Sequence, residues 1–68
     1  MPGTYKKIEI VGTSLVGFSE AVSAGVAEAS RTVRHLEWFE VIEQRGHIKD
    51  GKVVEYQVVL KVGFKVEH

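Results

Sequence analysis

Hydrophobic and polar positions change rhythm twice along this chain. From Tyr5 to Val11 they alternate, with Ile8 and Ile10 on one side and Tyr5, Lys7 and Glu9 on the other, which predicts a β-strand. Gly12-Thr13-Ser14 breaks that run. From about Val16 the apolar residues fall at Phe18, Ala21, Val22, Gly25, Val26, Ala29 and Val33, one stripe of an amphipathic helix of about sixteen residues. Ser19, Glu20, Ser23, Glu28 and Arg31 take the opposite side. Ala21, Gly25 and Ala29 are small enough to let a sheet approach closely. Gly25 costs about 1 kcal/mol of helix propensity relative to Ala, and close packing is the reason to accept that cost. Arg31 and Arg34 fall in or just beyond the last turn, where cations suit the helix dipole.

Alternation returns from Leu36 to Ile48 and from Lys52 to Val66, on either side of Asp50-Gly51. Asp-Gly favours a two-residue type I′ hairpin, because both central residues need positive φ. That turn sets Lys49 against Lys52, and hence Val41 against Leu60 and Phe39 against Val62. These four share a face with Val54, Tyr56, Val58, Phe64 and Val66, the face a helix would cover. Trp38 then lies opposite Gly63, Glu40 opposite Lys61, Ile42 opposite Val59 and Gln44 opposite Gln57 on the reverse face. Arg45 strains this simple register, which sets it beside Tyr56 on the core side; a one-residue bulge would move it.

Chain direction gives the topology. The first strand runs up, the helix returns, and the two hairpin strands run up and down, so the third strand is the antiparallel neighbour of both others. The expected fold is α+β: β-α-β-β, with a three-stranded antiparallel sheet in the order 1-3-2 partly wrapping one helix. The third strand, roughly 45 Å long at 3.3 Å per residue, outruns the helix. Its excess length is expected to pack on another copy.

Sixty-eight residues form one domain, spanning 1–68, with a marginal core. No cysteine is present, so disulfides and thiolate metal sites are excluded, and oligomerisation or a ligand is left to add stability. Nine basic and nine acidic side chains cancel, which removes the long-range attraction expected of a nucleic-acid or anionic-membrane binder. No signal peptide or membrane-spanning run is visible, and the expected location is the cytoplasm.

Catalytic and metal chemistry find little support. His35, His47 and His68 lack metal-ligand spacing, and Ser14, Ser19, Ser23 and Ser30 lack an attendant base. Gly12-Thr13-Ser14 before a helix lacks the length and the Lys of a P-loop. Trp38 differs from these. On the uncovered face of a small sheet it is either an interface anchor or a stacking platform for a planar ligand, and both need a second surface. Trp38 and Gln57 stand about six residue steps apart, roughly 20 Å, so a common site would be built between subunits.

Val11-Gly12-Thr13-Ser14, Arg34-His35-Leu36-Glu37-Trp38-Phe39-Glu40-Val41, Arg45-Gly46-His47, Tyr56-Gln57-Val58 and Val62-Gly63-Phe64-Lys65 together resemble the dodecins, small flavin-binding proteins. The resemblance spans nearly the whole chain without gaps, and the Trp-Phe-Glu-Val block is its specific part. It implies twelve copies in a hollow shell, with flavins bound in pairs between tryptophans and a glutamine hydrogen-bonded to the isoalloxazine. By motif those residues are Trp38 and Gln57. Bacterial members favour FMN, with riboflavin or another flavin as the alternative, and Arg45 matches an arginine that assists flavin or phosphate binding. Lys65 stands where related sequences often carry Arg, keeping the charge without the planar fork. His47 follows as a weaker pocket candidate. Some members also hold coenzyme A, whose residues these motifs do not assign.

The expected function is non-enzymatic flavin storage and photoprotection in a homododecamer. Indole stacking would quench flavin emission, while Gln57 offers both a donor and an acceptor to the pyrimidine edge. The alternative is a structural homo-oligomeric module with Trp38 as its interface anchor and no required ligand. A flavin enzyme ranks below both, because paired stacking leaves little room for a substrate.

Overall fold

The computed structural model describes residues 2–67. Four elements follow in the expected order: β1 (Tyr5–Ser14), α1 (Phe18–Ala29), β2 (Leu36–Lys49) and β3 (Lys52–Lys65). β3 lies between β1 and β2 and is antiparallel to both. Asp50 (φ 53°) and Gly51 (φ 75°) both adopt the positive φ that the hairpin demands.

β1 does not stop at Val11. Gly12, Thr13 and Ser14 continue it, paired with Val58, Gln57 and Tyr56. The glycine read as a break is instead a contact point. A Cβ on Gly12 would run into the Ala21 carbonyl oxygen and lie 3.2 Å from the Gly25 Cα. Helix and strand backbones therefore touch through two glycines, and Gly25 has the close-packing role its position suggests. Ser14 ends the strand by accepting a hydrogen bond from the Val16 N–H at 2.9 Å.

α1 is also shorter than its stripe. It ends at Ala29, and Val33 falls beyond it, tied back by its N–H to the Ala29 carbonyl at 3.0 Å. Ser30 competes for the last turn by donating its hydroxyl to the Ala27 carbonyl at 2.8 Å. Val33 keeps its helical periodicity by position alone. The polar face is solvated, with Arg31 paired to Glu28 at 3.2 Å.

The core sits between α1 and the middle strand. Ala21, Val58 and Leu60 are fully enclosed, with Ile10, Phe18, Val22 and Val26 packed around them. The helix packs on β1 and β3, which corrects one expectation: Phe39 and Val41 are 50% and 42% exposed, and Val54 is exposed as well. Position in the sheet explains this. A helix of twelve residues, about 18 Å long, centred on β1 and β3 leaves β2 and the far half of the hairpin uncovered. The molecule is accordingly elongated, 51 × 20 × 13 Å.

From Trp38 to Val41 the hairpin register is the expected one, with Trp38, Phe39, Glu40 and Val41 paired with Gly63, Val62, Lys61 and Leu60, while just before it a shift sets Leu36 against Phe64. Beyond Val41 it shifts. A bulge leaves Ile42 unpaired, so Glu43 rather than Ile42 meets Val59, and Gln44 meets Val58 instead of Gln57. Arg45 thereby moves opposite Gln57, onto the face away from the helix. A further irregularity at Val54, between the pairs His47/Glu55 and Ile48/Val53, returns the register to Lys49/Lys52.

Candidate functional site

The uncovered face of the sheet carries two polar constellations. The first surrounds Trp38. Gly63 has no side chain, and a Cβ there would occupy the space of the six-membered ring of the indole. Trp38 therefore lies flat across the middle strand. The Tyr5 ring of β1 packs against the indole at a centroid separation of 5.4 Å and a 53° tilt. The indole Nε1 donates to Glu40 Oε2 at 3.1 Å, and Lys7 Nζ donates to both oxygens of the same carboxylate at 3.1 and 3.3 Å. Lys7 and Trp38 both lie directly opposite Gly63. The outer strands of such a sheet are about 10 Å apart, and the missing side chain at Gly63 opens the passage through which their groups meet. Hydrogen bonds from Lys7 and then Trp38 hold the Glu40 carboxyl below its ordinary 4.5.

The second constellation exists because of the Ile42 bulge. Arg45 Nε donates to Gln57 Oε1 at 2.9 Å, and Gln57 Nε2 donates to Glu55 Oε1 at 2.9 Å. Arg45 Nη1 is held in turn by Glu43 at 2.9 Å. A guanidinium can only donate and a carboxylate can only accept, so the two neighbours fix which way round the Gln57 amide sits. His47 lies opposite Glu55 and, with Arg45, Gly46, Ile48 and Gln57, lines an open depression. Lys65 ends β3 opposite Tyr5, at the Trp38 end of the sheet.

Thus Arg45, Gln57 and His47 gather at one end of the face, and Trp38 and Lys65 lie towards the other. Reading the sequence alone did not single out Tyr5, Lys7, Glu40, Glu43 or Glu55 as site residues. The available signal was the glycine at position 63 in the middle strand, since a gap there lets side chains of the two flanking strands reach each other. Among the described residues no three His, Asp or Glu side chains come together as a cation site would need. His68 lies outside the described residues. No helix among them is long and apolar enough to cross a membrane.

A dodecin family model matches residues 4–67. The chain belongs to the dodecin family. It is 55% identical to the dodecin of Thermus thermophilus over 67 residues, covering 98% of this chain and 97% of that one. It is 32% identical to the calcium dodecin of Mycobacterium tuberculosis over 62 residues, or 91% and 87% of the two chains. Among solved structures, that of dodecin from Streptomyces coelicolor superposes with a TM-score of 0.93 at 51% identity, over 96% of this chain and 93% of that one. Dodecins are small dodecameric proteins that bind ligands. The sheet order and the β-α-β-β order of elements agree with that membership.

Proposed function

We propose that this chain is a non-enzymatic flavin-binding protein that stores and photoprotects FMN, or a related flavin, in a cytoplasmic homododecamer. One observation carries the reading: a half-buried indole lying over Gly63 shares the uncovered side of the sheet with a fixed glutamine amide. A planar tricycle suits the first. Alternating carbonyl and N–H groups on its edge suit the second, because Oε1 and Nε2 of Gln57 each retain one unused bonding position. The distance between Trp38 and Gln57 along the strands calls for residues from different protomers at one site, as a two-fold axis would supply. Calcium, named for the Mycobacterium tuberculosis relative, finds no group of three acidic or histidine side chains among the described residues. Coenzyme A is a candidate second ligand by family likeness alone.

Bound flavin would supply a photoreactive ring. The chain's contribution would be to stack that ring, exclude water from its faces and shorten its excited state through the adjacent indole. Arg45 uses two of its N–H donors on Gln57 and Glu43, which leaves others for a phosphate. Lys65 would add a point charge, and His47 would line the Arg45 end.

The deciding test is a fluorescence titration of FMN with the purified protein, followed by size-exclusion chromatography read at the flavin absorbance. Quenching that saturates near one flavin per chain, with colour eluting at a dodecamer's volume, supports the proposal. Bright FMN eluting free from an assembled protein sinks it in favour of a structural module anchored by Trp38.

Arg45→Ala separates two roles of that residue. Because Arg45 holds Gln57 as well as offering charge, the variant is expected to weaken riboflavin about threefold and FMN about tenfold. Unchanged riboflavin affinity in the same titration would remove the Gln57 role.

A further inference from the structure

We infer that Glu40, anchored by Lys7, is a positioning residue that holds the Trp38 indole in its stacking pose before any ligand arrives. The inference rests on the flavin reading for its use, but its physical content concerns the free protein. Trp38 is only half-buried, on a face without a covering layer. An aromatic side chain so placed can turn about two bonds, and each ligand would have to bear the entropy of fixing it. Here three contacts fix it in advance. Gly63 lies beneath the ring, the Tyr5 ring packs against it at a 53° tilt, and the Nε1–Oε2 bond at 3.1 Å sets its rotation about the last torsion.

The Lys7–Glu40 pair is 43% and 42% exposed at its two side chains. Exposed pairs of this kind add little to folding stability, so a purely stabilising role explains the arrangement poorly. Its geometry is more specific than its energy. One carboxylate oxygen receives both the indole N–H and the ammonium, and Lys7 reaches it from the far strand across Gly63. Lys7 thus removes the freedom of the Glu40 carboxylate, and Glu40 removes that of the indole.

A pH signature follows. The charged groups sharing this face near Glu40 are Lys7 and Glu9 on β1, Lys61 on β3 and Glu43 on β2. The two lysines favour the ionised form, in line with the lowered pKa of Glu40. A carboxyl with a depressed folded pKa contributes its stabilisation above its ordinary value and loses it as pH falls through the lowered one. Order at Trp38 is therefore full at pH 7 and weakens only in part as pH falls through the lowered pKa, because the protonated carboxyl keeps its carbonyl acceptor for the indole N–H but loses its ion pair with Lys7.

Trp38 is the only tryptophan in the chain, so near-ultraviolet circular dichroism and indole anisotropy report on one residue. The experiment measures both on the full-length ligand-free protein for wild type, Glu40→Leu, Glu40→Gln and Lys7→Met, then titrates each with FMN. Glu40→Leu is expected to lose most of the indole dichroism at pH 7 and to weaken FMN about fivefold. Glu40→Gln keeps an acceptor oxygen and should retain most of the signal, without the acid transition. Lys7→Met should fall between them. Unaltered dichroism and anisotropy in Glu40→Leu would overturn the inference, and so would Glu40→Gln as loose as Glu40→Leu, since the charge and not the acceptor would then matter. If wild type binds no FMN, the storage reading fails while the ligand-free spectra still decide the role of Glu40.

Discussion

Trp38→Ala is expected to weaken FMN binding about 100-fold, roughly 3 kcal/mol, the scale of a central aromatic anchor. Flavin that still binds should emit far more strongly, because the electron-rich indole beside it is gone. The variant leaves Gly63 bare and releases Glu40 from one of its partners, but removes nothing from the core between α1 and β3. Its fold should persist, and far-ultraviolet circular dichroism with size-exclusion chromatography checks that. Trp38→Phe keeps a ring without the N–H and should lose only about tenfold. Affinity and quenching equal to wild type in the alanine variant would end the stacking role. Assembly lost alongside, with flavin irrelevant to it, would support the interface-anchor alternative.

The second large effect concerns folding. Gly12→Ala is expected to cost about 3 kcal/mol or more, because the added methyl meets the Ala21 carbonyl, a backbone atom within a helix that cannot turn aside. Gly25→Ala offers a control on the other side of the same contact. Its methyl would lie 3.2 Å from the Gly12 Cα and 3.3 Å from the Leu60 Cδ1, tight but short of the overlap met at Gly12, and it recovers about 1 kcal/mol of helix propensity. Urea unfolding of the two variants beside wild type should therefore rank Gly12→Ala well below Gly25→Ala. The reverse order would mean that the close approach of helix and strand is not where the packing is tightest.

Periodicity made the elements and their order legible because each has one buried side. Ile8 and Ile10 against Lys7 and Glu9, the stripe from Phe18 to Ala29, and Asp50-Gly51 at positive φ all behave as local rules require. What escaped is non-local. Gly12 looks like a strand breaker until a helix is known to press on it. The end of α1 at Ala29 depends on Ser30 taking up a carbonyl, which an apolar stripe does not record. The Ile42 bulge left one trace, an arginine due to be buried, and that single inconsistency marked the stretch where the register departs. At the site, Trp38 and Gln57 stood out by residue type and face. Lys7 and Glu40 did not, since surface charges in an evenly charged chain give no hint of meeting across a glycine on a third strand.

The uneven covering of the sheet has a wider consequence. Among the described residues six apolar ones are buried, while large side chains including Phe39, Val41, Ile42, Ile48 and Val53 remain at least two-fifths exposed. If neighbouring copies cover that strip, as the proposed shell requires, much of the apolar burial belongs to association and not to the single chain. Folding and assembly then become one mass-action equilibrium, in which the free energy of the native state depends on how much protein is present. For such a chain, dilution alone, with no change of heat or solvent, acts as a denaturant.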